Sequence, residues 1–382
     1  VSLADWRDYL RTQTLINYSS YTSPRLFDVW FKFFLTYLNG IQTPGPRADF
    51  CVTEVAYSPL IHALAEAFAS QALSADSRER ALTMAKAVGQ AMKKELTDNA
   101  WLDASTRAGA LKKLEALAYG IGYPDKWPDL SAYKLNPDAS FLASTLSNSR
   151  TQWQNLVSEL DKPVNREEWR GFDPLEVNAF YSANYNRIVL TSSYLQSPNF
   201  DRTFIDAANY GATGATVGHE ITHAFDSGGR FYGATGNLEE WFTPASTAAF
   251  EQRSQCLVNQ FNNYTAYGTT KVNGTNTLSE NISDLGGIKI AYRAFKSARA
   301  GKPAQAVGKL NDDQIFFVSY AQSHCSKWTP EFLEETVATG VHAPGAFRVN
   351  GSLANLPEFA QTFSCPANSR MVRPQQQRCQ VW

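Results

Sequence analysis

The sequence predicts a mainly α-helical protein of two domains, with one small β-hairpin ahead in the chain of the helix that carries the chemistry. Three observations predict this. The first 120 residues keep apolar side chains at three- and four-residue spacing, two β-branched and aromatic runs occur close together between residues 177 and 190, and Pro124, Pro128 and Pro137 punctuate the stretch between two helical blocks. With 382 residues, of which 43% are apolar and 19% charged, the chain can bury a large core and lacks the composition of a disordered one. Its 35 basic side chains against 36 acidic ones give a net charge of -1, with no basic surplus to hold phosphates, so nucleic acid is not expected as a partner.

Taken in order, Leu60 to Leu73, Ser77 to Leu96 and Thr106 to Leu117 read as amphipathic helices, the third behind Asp103 and Ser105 as N-cap candidates. Gly120 to Pro124 ends that block, and the domain boundary is placed at residue 140, giving a helical domain over 1–140 and a second over 141–382. Phe141 to Leu160 is again helical. Val177 to Tyr181 and Arg187 to Leu190 read as two strands around a polar turn. Phe204 to Phe225 returns to helix, with Ala207, Ala208, Gly211, Ala212, Gly214 and Ala215 allowing close packing. Val29 to Leu35, the most apolar stretch near the start, is interrupted by Lys32 and too short to span a bilayer. The chain opens at Val1 with no initiator Met, basic n-region or cleavage site, so any targeting segment is expected to lie outside it.

Cys51, Cys256, Cys325, Cys365 and Cys379 are odd in number, and Asn17, Asn263, Asn273, Asn281 and Asn350 each head an Asn-x-Ser/Thr sequon. Together they point to an oxidising, secretory compartment in which one cysteine partner is missing. Buried free thiols in a cytosolic enzyme are the other reading. Asn281 falls inside an expected buried helix, so Asn17, Asn263, Asn273 and Asn350 are the glycosylation candidates, with Asn263 and Asn273 in polar, turn-like surroundings.

His219-Glu220-Ile221-Thr222-His223 matches H-E-x-x-H. On a helix, the i and i+4 spacing stacks both imidazoles on one face, where a single Zn²⁺ can take both. Glu220, about 100° round the helix, can then serve as a base without being a ligand. A third ligand is needed. Glu280, 57 residues after His223, is the strongest candidate, because Asp284 four residues on shares its helix face and could orient a ligating imidazole. Taken alone, Glu280 and Asp284 also fit a solvated helix face.

Five blocks then carry a resemblance: His219 to Asp226, Glu280 to Asp284, Val177 to Tyr181, His342 to Arg348, and the terminal Cys379-Gln-Val-Trp382. In this order they resemble the neprilysin and endothelin-converting-enzyme family of zinc metallopeptidases. Weaker similarity runs back through Trp101 to Arg107 and Ile121 to Asp125, so the resemblance covers most of the chain. It implies a two-domain gluzincin with a thermolysin-like catalytic domain over 141–382 and a partial helical domain over 1–140 covering the active-site cavity. The implied activity is zinc-dependent hydrolysis of oligopeptides by a metal-activated water, with Glu220 as general base. His219, His223 and Glu280 would hold Zn²⁺, Asp284 would orient a ligating His, and Asp226 would stand behind the ligands. Asn178 and the Ala179 backbone would hold the substrate main chain, His342 would donate to the oxyanion, and Arg348 would bind a substrate carbonyl. Outside the resemblance, His342 and Arg348 in a Pro-Gly loop read as ordinary surface.

Family members are type II membrane or secreted glycoproteins of about twice this length, and this chain resembles their C-terminal half. The implied partners are peptides and the N-terminal half, disulfide-linked to this one, in a homo- or hetero-oligomer outside the cell or in the secretory lumen. Cys256 would pair with Cys379, leaving Cys51, Cys325 and Cys365 for that other half. Ser283 and Leu285 depart from the family pattern beside Glu280, and His324 stands where relatives carry Trp, so a preference for large apolar residues after the scissile bond does not carry over. His62 has no motif partner and reads as a helix-surface or satisfied core histidine. The alternative function is a catalytically weak, surface-displayed homologue acting as a binding or structural protein; intact His219, Glu220, His223 and Glu280 argue against it.

Overall fold

The computed structural model describes residues 1–134, 136–169 and 171–382. Its elements are α1 Leu3–Tyr18, α2 Pro24–Trp30, α3 Arg47–Ala56, α4 Ile61–Ala72, α5 Ala75–Asp98, α6 Ala104–Glu115, β1 Ala118–Gly122, α7 Phe141–Val157, β2 Ala179–Ser182, β3 Arg187–Thr191, α8 Asp206–Asn209, α9 Ala215–His223, α10 Pro244–Asn262, β4 Thr265–Tyr267, β5 Thr270–Lys271, α11 Leu278–Arg299, β6 Ala306–Val307, β7 Leu310–Asn311, α12 Asp312–Ser323, α13 Pro330–Thr339, α14 Gly345–Leu353 and α15 Pro357–Thr362. The expected helices thus form within a few residues of their predicted ends. Asp103 caps α6, its carboxylate accepting from the Ser105 and Thr106 N–H groups. No helix among the described residues is long and apolar enough to cross a membrane.

Two compact units make up the chain, and neither is contiguous. One comprises Val1–Leu64, Trp127–Pro163 and Trp328–Glu335; the other comprises Ala65–Lys126, Val164–Lys327 and Thr336–Trp382. They do not follow a single cut at residue 140, because α5 and α6 share the core of the unit that contains α9 and α11. The first unit gathers Phe27, Phe31 and Phe50 in aromatic contact and leaves Leu3, Trp6, Tyr9 and Leu10 exposed. His62 departs from both of its readings: it is buried, edge-on to Trp127, with Nδ1 lacking any hydrogen-bond partner.

The second unit holds a three-stranded sheet in the order β1-β3-β2. β2 and β3 form the predicted antiparallel hairpin, with Ala179 opposite Leu190 and Ser182 opposite Arg187. β1 is the strand that local reading missed. It runs parallel to β3, Ala118 opposite Arg187 through Gly122 opposite Thr191, and its two glycines read as helix-ending punctuation. β2 is left as an edge. Asn178 O accepts from Thr191 N–H, so Phe180 falls at the next hydrogen-bonded position and the main-chain groups of Ala179 and Tyr181 point off the sheet.

The helical run after residue 204 is continuous but not uniform. Tyr210–Gly214 is π-helical between α8 and α9, and a Cβ on Gly211 would stand 2.1 Å from the Phe316 carbonyl oxygen of α12. α9 and α11 then meet backbone to backbone: a Cβ on Gly218 would lie 2.4 Å from Gly287 O, and one on Gly287 would lie 2.4 Å from His219 N. α5 packs against both helices with Val88 and Met92 fully buried. Cys256 on α10 is bonded to Cys379, Cα to Cα 5.5 Å, and the Trp382 ring packs on Trp101, Phe225 and Phe250. Cys51, Cys325 and Cys365 are unbonded.

The closeness of α9 and α11 yields a prediction against helix propensity. Gly→Ala normally favours an exposed helix by about 1 kcal/mol, yet Gly287→Ala should destabilise by about 1–3 kcal/mol, because the new methyl meets backbone that cannot yield. Urea unfolding of the two proteins measures it, and a more stable variant would disprove the tight crossing.

Candidate metal centre

The site grows from the α9/α11 crossing. His219, Glu220 and His223 come from α9, Glu280 and Asp284 from the first turns of α11, and the crossing brings the two sets face to face. His219 Nε2 is 2.9 Å from His223 Nε2, 3.2 Å from Glu280 Oε2, and His223 Nε2 is 3.5 Å from Glu280 Oε1. The far ring nitrogens are taken by carboxylates, His219 Nδ1 by Asp284 Oδ1 at 2.8 Å and His223 Nδ1 by Asp226 Oδ2 at 2.5 Å. With each Nδ1 donating its proton, each neutral ring carries its lone pair on Nε2.

Two imidazole lone pairs and a carboxylate therefore converge on one point with no donor among them. Glu280 Oε2 is buried and has no well-formed hydrogen bond, although His342 Nε2 lies 2.9 Å away. Acceptors arranged in this way fit a cation, and His219, His223 and Glu280 are a group able to hold a metal ion.

The surrounding shell is fuller than the motif suggested. Asp226 Oδ1 accepts from the Gly228 and Gly229 N–H groups, and Oδ2 also from the Ser279 hydroxyl. Ser283 Oγ stands 3.0 Å from His223 Nδ1, so that departure touches a ring of the site. Arg348 commits Nε and Nη2 to the two Asp284 oxygens at 2.8 and 2.7 Å. Burial alone would raise Asp284; Arg348 and His219 hold it well below the ordinary carboxylate range.

Glu220 is buried beside these groups, and burial pushes its carboxyl up against the pull of the two imidazoles. It lines a cavity of about 690 Å³ whose walls also carry Asn178, Ala179, His342 and Arg348. Every predicted site residue of the catalytic, metal and substrate sets borders this one cavity, Asp226 and Asp284 included. His324 lines it too, pushed by burial and by the nearby Arg348 charge down to about 4, with Nδ1 3.1 Å from Tyr320 O. Ser279, Tyr194, Thr216 and Tyr320 were not foreseen; of these only Ser279 had a sequence signal, its place one residue before Glu280 and four before Ser283. Asn281 is fully buried, while Asn17, Asn263, Asn273 and Asn350 are exposed.

Known proteins resemble this chain in sequence and fold. Mouse endothelin-converting enzyme 1 is 36% identical across 98% of this chain and 49% of its own length, and Caenorhabditis elegans neprilysin-1 is 37% identical across 90% and 47%. The chain thus spans about half the length of these relatives. A crystal structure of the Mycobacterium tuberculosis zinc metalloprotease Zmp1 with an inhibitor superimposes on 100% of this chain and 58% of its own, with a TM-score of 0.92 at 30% identity. A crystal structure of PepO from Lactobacillus rhamnosis gives a TM-score of 0.89 at 28% identity, over 100% and 58%. Models of peptidase family M13 match residues 178–379 and, for the N-terminal part of that family, residues 1–124. With these matches laid over the His219, His223 and Glu280 cluster, the chain belongs to peptidase family M13.

Proposed function

We propose that this chain carries the catalytic centre of a zinc endopeptidase that hydrolyses oligopeptides. The observation that carries the reading is the convergence of His219 Nε2, His223 Nε2 and the Glu280 carboxylate on one point, with both Nδ1 atoms already held by carboxylates and Glu220 left free beside them. A solved relative described as a zinc metalloprotease supports zinc as the ion. Bound by these three side chains, zinc would supply a Lewis acid that polarises a peptide carbonyl and acidifies water.

The rest is work for the protein's own groups. Glu220 takes a proton from the attacking water and returns it to the leaving amine, from a buried position in which desolvation raises its affinity for protons. The off-sheet Ala179 carbonyl and the exposed Asn178 side chain, whose Oδ1 accepts from the Ala179 N–H, offer an extended peptide hydrogen-bonding partners along β2. His342, half exposed across the cavity, donates to the developing oxyanion. Arg348 has two nitrogens spent on Asp284, so Nη1 is the atom left to meet a substrate carbonyl. Beside it, the neutral His324 gives the cavity a polar wall in place of an apolar one.

Because the chain spans half of its relatives, the unbonded Cys51, Cys325 and Cys365 are assigned to bridges with the remaining part of the protein. The Cys256–Cys379 bond and four exposed sequons support a secretory or extracellular setting.

Two measurements follow. Glu220→Gln should bind zinc one to one like the wild type and lose about 10²–10⁴-fold in turnover of a quenched peptide, since only proton transfer is removed; near-normal turnover would eliminate Glu220 as the base, and a metal-loaded wild type inert to all peptides would favour the binding-protein alternative. Peptide mass mapping of secreted material should find sugar on exposed sequons and none on Asn281, whose buried amide bonds the Thr277 hydroxyl.

A further inference from the structure

Lys113, on the last turn of α6, is among the largest fully buried side chains of the described residues. An amine taken from water needs compensation, and no described carboxylate lies within ion-pair distance of this one. Its Nζ instead donates to two main-chain oxygens, Ala224 O at 2.7 Å and Gly229 O at 2.6 Å. Those carbonyls are the two ends of the turn that carries Asp226. The Asp226 carboxylate closes the turn from inside through the Gly228 and Gly229 N–H groups, and Lys113 closes it from outside. The rings of Tyr181, Phe225 and Trp241 stand 5.8 Å from the amine and keep water from replacing it.

The same residue is tied at its main chain. Lys113 O accepts from Asn186 Nδ2 at 2.9 Å, and Asn186, in the left-handed region at φ 40°, sits in the β2–β3 turn. Asn186 Oδ1 accepts from the Tyr181 hydroxyl of β2 at 3.2 Å, and its Nδ2 also reaches Ala234 O at 3.1 Å. Lys113 thus joins the Asp226 turn to the edge strand.

We propose that Lys113 is a positioning residue for the metal centre: by bridging the Ala224 and Gly229 carbonyls it fixes the turn that aims Asp226 at His223 Nδ1. The inference rests on the reading of His223 as a metal ligand. Without the amine, two convergent carbonyl oxygens lose their shared donor in an aromatic-walled space, the turn opens, and Asp226 no longer fixes the orientation of the His223 ring. Burial pushes the amine down to about 7, with Asp226 opposing; charged or neutral, it keeps at least two N–H groups, so both bonds persist.

The test uses the intact protein with Lys113→Met, and Lys112→Met at the exposed neighbour as control. Zinc affinity by chelator competition, the ligand-field spectrum of the Co²⁺-loaded protein, and the thermal midpoint are read together. Lys113→Met should weaken zinc binding by about 10–100-fold and alter the Co²⁺ spectrum, while Lys112→Met changes neither. Combined with Asp226→Asn, the loss should be no greater than that of the more damaging single variant, because both act through one contact. A folded Lys113→Met with wild-type affinity and spectrum, even at a lower midpoint, overturns the proposal and leaves Lys113 a packing residue. If Lys113→Met does not fold, Lys113→Gln is read instead; its shorter amide cannot bridge both carbonyls, so wild-type affinity there overturns the proposal equally. A wild-type protein that binds neither ion overturns the metal-centre reading itself, and this inference with it.

Discussion

The contact on which the site depends is the meeting of α9 and α11 at Gly218 and Gly287, where neither helix has room for a methyl group. Helices with ordinary side chains at the contact pack with axes 8–10 Å apart. Removing the side chains at this point lets the backbones touch. His219 directly follows Gly218 and Glu280 lies seven residues before Gly287, and there the closeness becomes a 3.2 Å separation of His219 and Glu280, within reach of a single ion. The glycines lower helix propensity in both elements, and the burial of α11 between α5 and α9 offsets that loss.

A second constraint is electrostatic. Three carboxylates, Asp226, Glu280 and Asp284, are buried within one small volume together with Glu220, an arrangement that repels itself unless cations are supplied. Arg348 provides one, through a paired contact with Asp284. A metal held by His219, His223 and Glu280 would provide the other. Both imidazoles are already oriented by the protein, with Asp284 and Asp226 accepting hydrogen bonds from the Nδ1–H groups and Ser279 holding Asp226 in turn. Preorganisation of this kind separates a metal site from a mere acidic cluster.

One wall of the cavity is arranged by the sheet. Because β3 is paired on both sides, by β1 in parallel and β2 antiparallel, the sheet has its hairpin strand as an edge on the cavity. β1 supports that edge at long range: it fixes β3, β3 fixes β2, and Asn186 ties their turn to α6. The edge strand and the Asp226 turn therefore share a common support, and both border the cavity that the groups of α9 line.

Much of this was legible from residues alone. Three- and four-residue periodicity gave the long helices, Asp103 marked the start of α6, alternation around a polar turn gave the hairpin, and H-E-x-x-H pointed to His219, Glu220 and His223, which line one cavity; all of these are patterns within a few residues of chain. Glu280 and Asp284 were reached through their own four-residue spacing together with the family likeness, not from any local link to His219. What only the tertiary structure decided were pairings between distant segments: β1 against β3, Arg348 on Asp284, Ser283 on His223, and Lys113 beneath the Asp226 turn. The discontinuous make-up of the two compact units belongs with them. The physical reason is the range of the interactions. Helix periodicity and caps are set by neighbours along the chain, whereas a buried polar group is indifferent to sequence distance and takes whichever donor or acceptor the packed core leaves beside it. Lys112 and Lys113 are the same residue type side by side, and only packing determines that one meets solvent and the other two carbonyls.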